Sequence, residues 1–186
     1  MSTDLRALVR KRKPDKRRTR IPLRAREALV HWTDLPGAAP AVLLLDTTVY
    51  IHRAAGRLPE GLGELIDRAL LFHCSVCLGE LAVGVAGADP GRPSWRKLRD
   101  HYAELFALVP ESRLVIPDAT LWAEAGLVAG TLARTQGLQR HQRKECLNDA
   151  LILLAAARAG LAVLTANRDE FDLLQQLCPE ARFVHY

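Results

Sequence analysis

Three carboxylate side chains occupy similar places in the sequence, each beside a short apolar run. Asp46 directly follows the five apolar residues 41–45, and Glu80 follows a second apolar stretch. Asp149 opens the longest apolar run, at residues 150–157. A strand that is apolar on both faces is typical of a buried parallel sheet, and ligands bind beyond the carboxyl ends of such strands. We therefore expect the three carboxylates to lie together at one edge of a sheet.

Carboxylates that lie close together repel one another unless a cation compensates them. At an effective dielectric constant of about 20, two carboxylates roughly 5 Å apart repel by about 3 kcal/mol. The three apolar segments bring no Lys or Arg with them that could neutralise the acids, so we expect a divalent cation. Hard oxygen ligands select Mg²⁺ or Mn²⁺, and the absence of a paired His and Cys set argues against zinc.

The elements that would position the acids are strands and helices in alternation. The expected strands lie at residues 41–45, 73–76, 161–164 and 182–185. The run after Asp149 is apolar all round, which predicts a central buried helix with Asp149 in its first turns. A polar and basic loop at residues 139–145 is expected to precede that helix. Alternation of this kind predicts a three-layer α/β/α fold with a central parallel sheet.

Length and composition indicate one soluble domain with an added segment. The chain has 186 residues, 49% of them apolar, and no apolar run approaches the roughly 18 residues that a membrane span needs. The N-terminus lacks the apolar core of a secretory signal, so we expect a cytoplasmic protein without membrane contact. Cys74 and Cys77 form a Cys-x-x-Cys pair inside an apolar stretch, so the cysteines are expected to be buried, reduced thiols.

Residues 1–40 are expected to form a basic N-terminal extension and linker, partly disordered, before a domain at residues 41–186. Residues 1–30 carry 11 of the 26 Lys and Arg residues and a net charge of +8, whereas the remainder of the chain carries −3. Residues 10–20 are dominated by Lys and Arg and interrupted by Pro14, so we expect them not to pack. They would contact nucleic acid or a partner, or else form a solvated tail or an arginine-rich transit peptide.

Four sequence blocks, taken in order, resemble the four blocks of PIN-domain nucleases, specifically the VapC-type toxins of bacterial toxin-antitoxin pairs. The blocks are Leu-Leu-Leu-Asp-Thr-Thr ending at Thr48, Glu-Leu-Ala-Val-Gly from Glu80, Asn-Asp-Ala-Leu-Ile from Asn148, and Thr-Ala-Asn-Arg-Asp-Glu-Phe from Thr165. The likeness covers approximately residues 42–185, with the family's spacing. The chain departs from the family at Glu170, where aspartate is common, and in the extension of about 40 residues, which many such toxins lack.

The resemblance implies Mg²⁺-dependent cleavage of RNA phosphodiesters by metal-activated water. The family's acids carry over to Asp46, Glu80 and Asp149, which would be catalytic and would hold one or two metal ions. Asn167 would join them as a metal ligand. The residue that completes the ligand set stays open among three candidates: Asn167, Asp169 and Glu170.

The resemblance also implies supporting residues and partners. Thr47 and Thr165 would orient the metal ligands or the water by hydrogen bonding. Arg140, Arg143 and Lys144 would contact the phosphates of the substrate. A homodimer and a cognate antitoxin protein that blocks the crevice are also expected.

Three alternatives stay open. Glu80 and Asp149 could each merely favour the N-terminus of a helix, which attracts carboxylates without any catalysis. An aspartyl-phosphate phosphotransferase also begins with an apolar strand and an Asp, but it usually has a second Asp two residues later, where this chain has Thr48. A catalytically inactive PIN-like scaffold or nucleic-acid-binding protein would depend on the basic extension instead.

Overall fold

The centre of the fold is a parallel sheet of five short strands. A computed structural model describes residues 3–36 and 40–186. The strands are β1 (Val42–Leu45), β2 (Leu70–Cys74), β3 (Leu114–Val115), β4 (Ala162–Thr165) and β5 (Arg182–His185). Their spatial order is β3-β2-β1-β4-β5, and every neighbouring pair is parallel. The chain order reverses between β1 and β4, so a crevice opens beyond their carboxyl ends at a topological switch point.

Helices flank the sheet and complete the expected three-layer α/β/α fold, which is confirmed. They are α1 (Leu5–Arg12), α2 (Thr47–Ala54), α3 (Leu62–Arg68), α4 (Ser75–Gly87), α5 (Pro93–Leu108), α6 (Ala119–Gln136), α7 (Arg140–Arg158) and α8 (Arg168–Leu177). Residues 150–156 of α7 are all at most 2% exposed, as expected for a central helix that is apolar on every side. None of the helices in the described part of the chain combines the length and the apolar character that crossing a membrane requires.

Helix α7 begins earlier than the sequence pattern predicts. Residues 139–145 were expected to form a loop, but α7 starts at Arg140, and the side chain of Gln142 accepts a hydrogen bond from the backbone N–H of Gln139 at 2.8 Å. The polar residues at this end include good helix formers and no Gly or Pro, so the helix extends beyond its apolar part. Asp149 therefore lies in the helix interior, and the prediction that it occupies the first turns is wrong.

One strand boundary differs from the prediction, and one strand, β3, was not predicted. β2 spans Leu70–Cys74, and α4 begins directly at Ser75, so the strand expected at residues 73–76 lies about three residues too late. β3 has only two residues, which is too short to show a period-two pattern in the sequence.

The four cysteines are buried and free, as predicted. The Sγ atom of Cys77 donates a hydrogen bond to the backbone carbonyl of Leu45 at 3.4 Å. This thiol thus ties α4 to the end of β1.

The expectation that residues 10–20 do not pack is wrong at Arg12 and Pro14, where the N-terminal extension contacts α6, whereas residues 15–20 are exposed. The side chain of Asp4 caps α1 by accepting from the backbone N–H of Ala7 at 3.1 Å, and Leu8 is buried. Nε of Arg12 donates to Glu124 of α6 at 2.8 Å, and both side chains are almost fully buried, at 5% and 6% exposure. Because Glu124 is 112 residues from Arg12 in the sequence, the composition of the extension alone could not predict this contact.

The rest of the extension continues across α6 and α8 to the edge of the sheet. The backbone N–H and Nε of Arg24 donate to the buried carboxylate of Asp172 at 2.8 and 2.5 Å. The backbone N–H of His185 in β5 donates to the carbonyl of Val30 at 3.0 Å, and His31 forms a parallel bridge with His185. Residues 37–39, within the expected linker, and residues 1–2 lie outside the described part of the chain, so the division at residue 40 stays a prediction.

The Arg12–Glu124 pair generates a stability prediction. Replacing Glu124 with Ala leaves the buried guanidinium of Arg12 without one of its counter-charges, so the free energy of unfolding should fall by about 3 kcal/mol. Urea denaturation measures the loss, and limited trypsin digestion should show faster cleavage within residues 10–20. The exposed Glu104→Ala substitution serves as the control and should change the unfolding free energy by no more than about 0.5 kcal/mol. Equal stability of the two variants would mean that the extension does not depend on this pair.

Candidate active site

Asp46 lies at the switch point of the sheet, directly after β1. Its side chain is 2% exposed and accepts hydrogen bonds from the hydroxyl groups of Thr48 and Thr165, at 2.5 and 2.8 Å. Because Thr165 ends β4, these bonds join the two strands whose carboxyl ends face the crevice. Asp46 also has a structural role, since it is the N-cap of α2 and accepts from the backbone N–H of Thr48 at 3.4 Å.

Glu80 reaches the same crevice from α4. Its carboxylate accepts a hydrogen bond from the hydroxyl of Thr47 and another from Nδ2 of Asn148, the latter at 2.7 Å. Thr47 follows Asp46 in sequence and Asn148 precedes Asp149, so Glu80 links the surroundings of the other two acids.

Asp149 is held by an asparagine that also contacts a fourth carboxylate. Nδ2 of Asn167 donates to Asp149 at 3.0 Å and to Glu170 at 3.1 Å. The backbone N–H of Asn167 in turn donates to the hydroxyl of Thr165 at 2.9 Å. Asn167 is thereby fixed between two acids and bonded to the threonine that contacts Asp46.

The structure therefore brings the three predicted acids together with Thr47, Thr165 and Asn167. It also adds residues that were not predicted. Among the candidates left open, Asn167 and Glu170 join the cluster, whereas Asp169 is exposed and pairs with Arg168 at 2.6 Å. Thr48 and Asn148 were not predicted as site residues. Their position inside the blocks, next to Thr47 and Asp149, was the only signal that the sequence offered.

The helix bounds remove one structural alternative. Glu80 lies in the interior of α4 and Asp149 in the interior of α7, beyond the first turn in both cases. A carboxylate gains from the positive end of a helix only within about one turn of it. Attraction to a helix N-terminus thus accounts for neither residue.

Burial and repulsion from neighbouring carboxylates disfavour the charged forms of Asp46, Asp149 and Glu170. Burial, followed by the charges of Asp46, Glu170 and Glu80, holds the pKa of Asp149 well above its usual range. Burial is also the main cause that raises the pKa of Asp46 and the pKa of Glu170, although hydrogen bonds to both carboxylates act in the opposite direction. Among the described residues, no salt bridge reaches any of the four carboxylates.

The donor chemistry of the cluster fits a hard divalent cation. Carboxylate and amide oxygens are the ligands that Mg²⁺ and Mn²⁺ prefer, and an uncompensated excess of negative charge favours binding of a cation. In the arrangement found here, however, no three His, Cys, Asp or Glu side chains of residues 3–36 and 40–186 converge closely enough to hold an ion. Glu80 is engaged with Thr47 and Asn148 instead, and Asp149 with Asn167.

A groove of about 1140 Å³ runs beside Glu80 and Asn148 and carries basic side chains. Arg140 and Lys144, one turn apart on α7, line it. Arg143 does not, because it lies on another side of the helix, where its Nε donates to the carbonyl of Leu138 at 3.2 Å. The structure thus places two of the three basic residues predicted to contact the substrate at the groove.

Trp122 also lines the groove beside Glu80. Trp122 was not among the predicted site residues, but it is 48% exposed and belongs to the groove wall. A large aromatic residue on a helix with apolar spacing is expected in the core, so its exposure here was not foreseeable from periodicity.

A second cavity, of about 610 Å³, lies on the other side of the cluster. Asn167 and Glu170 line it together with Arg20 and its neighbours from the N-terminal extension. Glu145 of α7 lines both the groove and this second cavity. The acidic cluster therefore has an opening on each side.

The order of the strands and the crevice at their switch point define a PIN-like α/β/α domain. No model of a known protein family matches the chain, and no curated protein matches it. Several solved structures match the chain. A chain of VapBC-1 from nontypeable Haemophilus influenzae matches with a TM-score of 0.54 at 20% identity, over 77% of this chain and 97% of that chain. VapBC-5 from Mycobacterium tuberculosis, a member of the VapBC family of toxin-antitoxin systems, matches with a TM-score of 0.54 at 23% identity. This match covers 79% of this chain and 100% of that chain.

FitAcB from Neisseria gonorrhoeae gives a TM-score of 0.56 at 18% identity, over 76% of this chain and 96% of that chain. At these identities the likeness establishes a shared fold. The matched chains are covered almost completely, whereas more than a fifth of this chain has no counterpart in them. That share is about the size of the N-terminal extension.

The raised pKa of Asp149 predicts a measurable effect on stability. A carboxyl group whose pKa is higher in the folded state stabilises the fold below its unfolded pKa of about 4, and this stability is lost as pH rises through the folded pKa. Asp149→Asn keeps the acceptor for Asn167 and removes the charge. In chelator at pH 7 the variant should therefore be more stable than the parent, by about 1 to 3 kcal/mol.

Thermal melts at pH 4 and pH 7 measure this difference, which should shrink at the lower pH. The control is Asp169→Asn, which changes an exposed acid outside the cluster and should show no such gain. An Asp149→Asn variant that melts earlier than the parent at pH 7 would show that favourable contacts, rather than repulsion, dominate at this position.

Proposed function

We propose that this protein is a cytoplasmic endoribonuclease that hydrolyses RNA phosphodiester bonds with the help of Mg²⁺, or Mn²⁺ in its place. The observation that carries the proposal is the cluster of Asp46, Glu80, Asp149 and Glu170 at the switch point, in which Asp46 is buried and the other three are half-buried. Within residues 3–36 and 40–186, no salt bridge reaches these carboxylates. A structural role alone would be better served by neutral residues at Asp149 and Glu170, because burial and repulsion disfavour their charged forms. A cluster of this composition is suited to a cation and a phosphate.

Asp46, Glu80 and Asp149, with the amide oxygen of Asn167, would hold the cation. When bound, the ion would offset the repulsion among the carboxylates and make water a stronger nucleophile at neutral pH. The chain's own residues prepare this site. Hydroxyl groups of Thr48 and Thr165 fix the carboxylate of Asp46.

Neighbouring side chains orient the other acids and attract the substrate. The hydroxyl of Thr47 and the amide of Asn148 hold Glu80, so its carboxylate needs little reorganisation. Arg140 and Lys144 supply positive charge to the groove beside Glu80, where they attract the phosphates of an RNA strand.

The proposal extends to the partners of the protein. The fold is shared with chains of toxin-antitoxin complexes, which supports a role as the toxin of such a pair. We accordingly propose a cognate antitoxin protein that covers the crevice, and a homodimer as the form of the free toxin.

Incubation of the purified protein with total RNA tests the activity. Cleavage should occur with Mg²⁺ and stop in chelator. Glu80→Gln keeps the shape of the side chain and one acceptor oxygen but removes the charge and the second acceptor, so the cleavage rate should fall by about 100-fold or more. The control is Glu64→Gln, which changes an exposed glutamate on α3 and should cleave at the parent rate. Melts with and without Mg²⁺ should show stabilisation of the parent that is much smaller for Glu80→Gln.

The runner-up function is a catalytically inactive PIN-like scaffold that binds nucleic acid through its basic extension. The observation in its favour is the second role of Asp46 as the N-cap of α2, because a helix cap alone would retain this residue. This alternative predicts that RNA binding survives chelation and that Asp46→Asn changes the stability little, because Asn is as good an N-cap as Asp. Metal-independent binding without cleavage would favour the scaffold over the nuclease.

A further inference from the structure

We propose that residues 20–23 of the N-terminal extension form a second substrate subsite, in which Arg20 contacts a backbone phosphate of single-stranded RNA. This inference rests on the proposed ribonuclease function and identifies the part of the chain that holds the substrate on the side opposite Arg140 and Lys144. It assigns a role to a segment that lies outside the resemblance to the nuclease blocks.

The second cavity lies between the extension and the acidic cluster. Residues 20–23 form one side of it, and Asn167 and Glu170 form part of the other. Asn167 donates to Asp149 at 3.0 Å, so the wall facing the extension includes members of the acidic cluster, beside Glu145, Asp169 and apolar side chains. A molecule in this cavity would lie between Arg20 and the candidate catalytic groups.

Hydrogen bonds to α6 and α8 hold residues 20–23 in place. The backbone carbonyl of Ile21 accepts a hydrogen bond from Nε2 of Gln136 at 3.2 Å, and that of Pro22 accepts one from Nε2 of Gln176 at 2.9 Å. Arg24 then binds Asp172 through both its backbone and its side chain. Arg20 thus projects from a fixed backbone, which gives it the frame that an unpacked arm would lack.

The charge of Arg20 remains available to bind an anion. Its Nε donates to Oε1 of Gln136 at 3.3 Å, and its side chain forms no salt bridge within the described part of the chain. The exposed guanidinium can therefore offer its remaining N–H groups to an anion. A guanidinium suits phosphate because its N–H donors match two phosphate oxygens at once.

The groove and the second cavity each combine members of the site with basic side chains. Glu80 and Asn148 line the groove with Arg140 and Lys144, whereas Asn167 and Glu170 line the cavity with Arg20. Glu145 lines both openings, so they adjoin each other beside α7, and the proposed path of the strand runs from one to the other. A strand along this path would have phosphates near basic side chains on both sides of the bond to be cleaved.

The surface of the cavity indicates a single strand rather than a duplex. Leucine side chains contribute to its lining, and apolar surface next to a guanidinium suits an unpaired base followed by its phosphate. The leucines are Leu23, Leu132, Leu138 and Leu173.

Binding measurements with a non-cleaving protein test the inference. The probe is a fluorescein-labelled 12-nucleotide oligouridylate, and the protein is the full chain with Asp149→Asn. Adding Arg20→Ala should weaken binding about tenfold at low salt. The slope of log K against log salt should also become shallower by about 0.7, the value for one lost phosphate contact on a single strand. Arg20→Lys should retain most of that slope.

Arg18→Ala is the matched control, because Arg18 is another exposed arginine of the extension and lies away from the cavity. Its Nε donates to the backbone carbonyl of Asp15 at 3.3 Å. This variant should bind within about twofold of the parent. Equal losses of affinity for the probe in Arg18→Ala and Arg20→Ala would overturn the inference. They would indicate diffuse electrostatic attraction by the whole extension. Unchanged binding by Arg20→Ala would also overturn it and would leave a protein as the occupant of the cavity.

Cleavage assays separate this inference from the proposed function. In the chain that retains Asp149, Arg20→Ala should raise KM about tenfold with little change in kcat, because the contact serves binding rather than chemistry. A protein that cleaves no RNA but still loses probe binding specifically with Arg20→Ala would refute the nuclease and support the subsite. A protein that cleaves RNA with an unchanged KM in Arg20→Ala would refute the subsite alone.

Discussion

Electrostatic repulsion among buried and half-buried carboxylates is the constraint on which the arrangement of the site depends. Four acids reach one crevice from the end of β1 and from three helices, and burial strengthens their effect on one another. The chain does not relieve this repulsion with Lys or Arg among its described salt bridges. It uses threonine hydroxyls and asparagine amides instead, which hold the acids without neutralising them. Neutral donors preserve both the geometry and the negative charge, and a site for a cation needs both.

Much of this arrangement could be predicted from the sequence. The apolar run before Asp46 specifies a buried strand, and the sheet places the end of that strand at the crevice. The block from Thr165 to Phe171 likewise brought Asn167 into the expected region. These predictions succeeded because they depend on local patterns that long-range contacts reinforce.

Other features depend on contacts that no local pattern records. The start of α7 was misplaced because apolar periodicity stops before the helix does, and the polar first turns resemble a loop in composition. Glu170 could not be separated from Asp169 by type or position, and only the fold turns one towards Asn167 and the other towards Arg168. The charge of the extension suggested an unpacked arm, because its partners Glu124 and Asp172 lie more than a hundred residues away.

The contact between the extension and β5 has a consequence for the behaviour of the protein in solution. A parallel sheet has two edges whose unpaired N–H and C=O groups can recruit strands from other molecules. At one edge, β3 offers only two residues, which is too short a template for efficient recruitment. At the other edge, Val30 and His31 pair with His185 and cover part of a longer strand. The N-terminal extension thus protects the sheet against self-association, and a chain shortened to residues 41–186 would expose β5 as a site for aggregation.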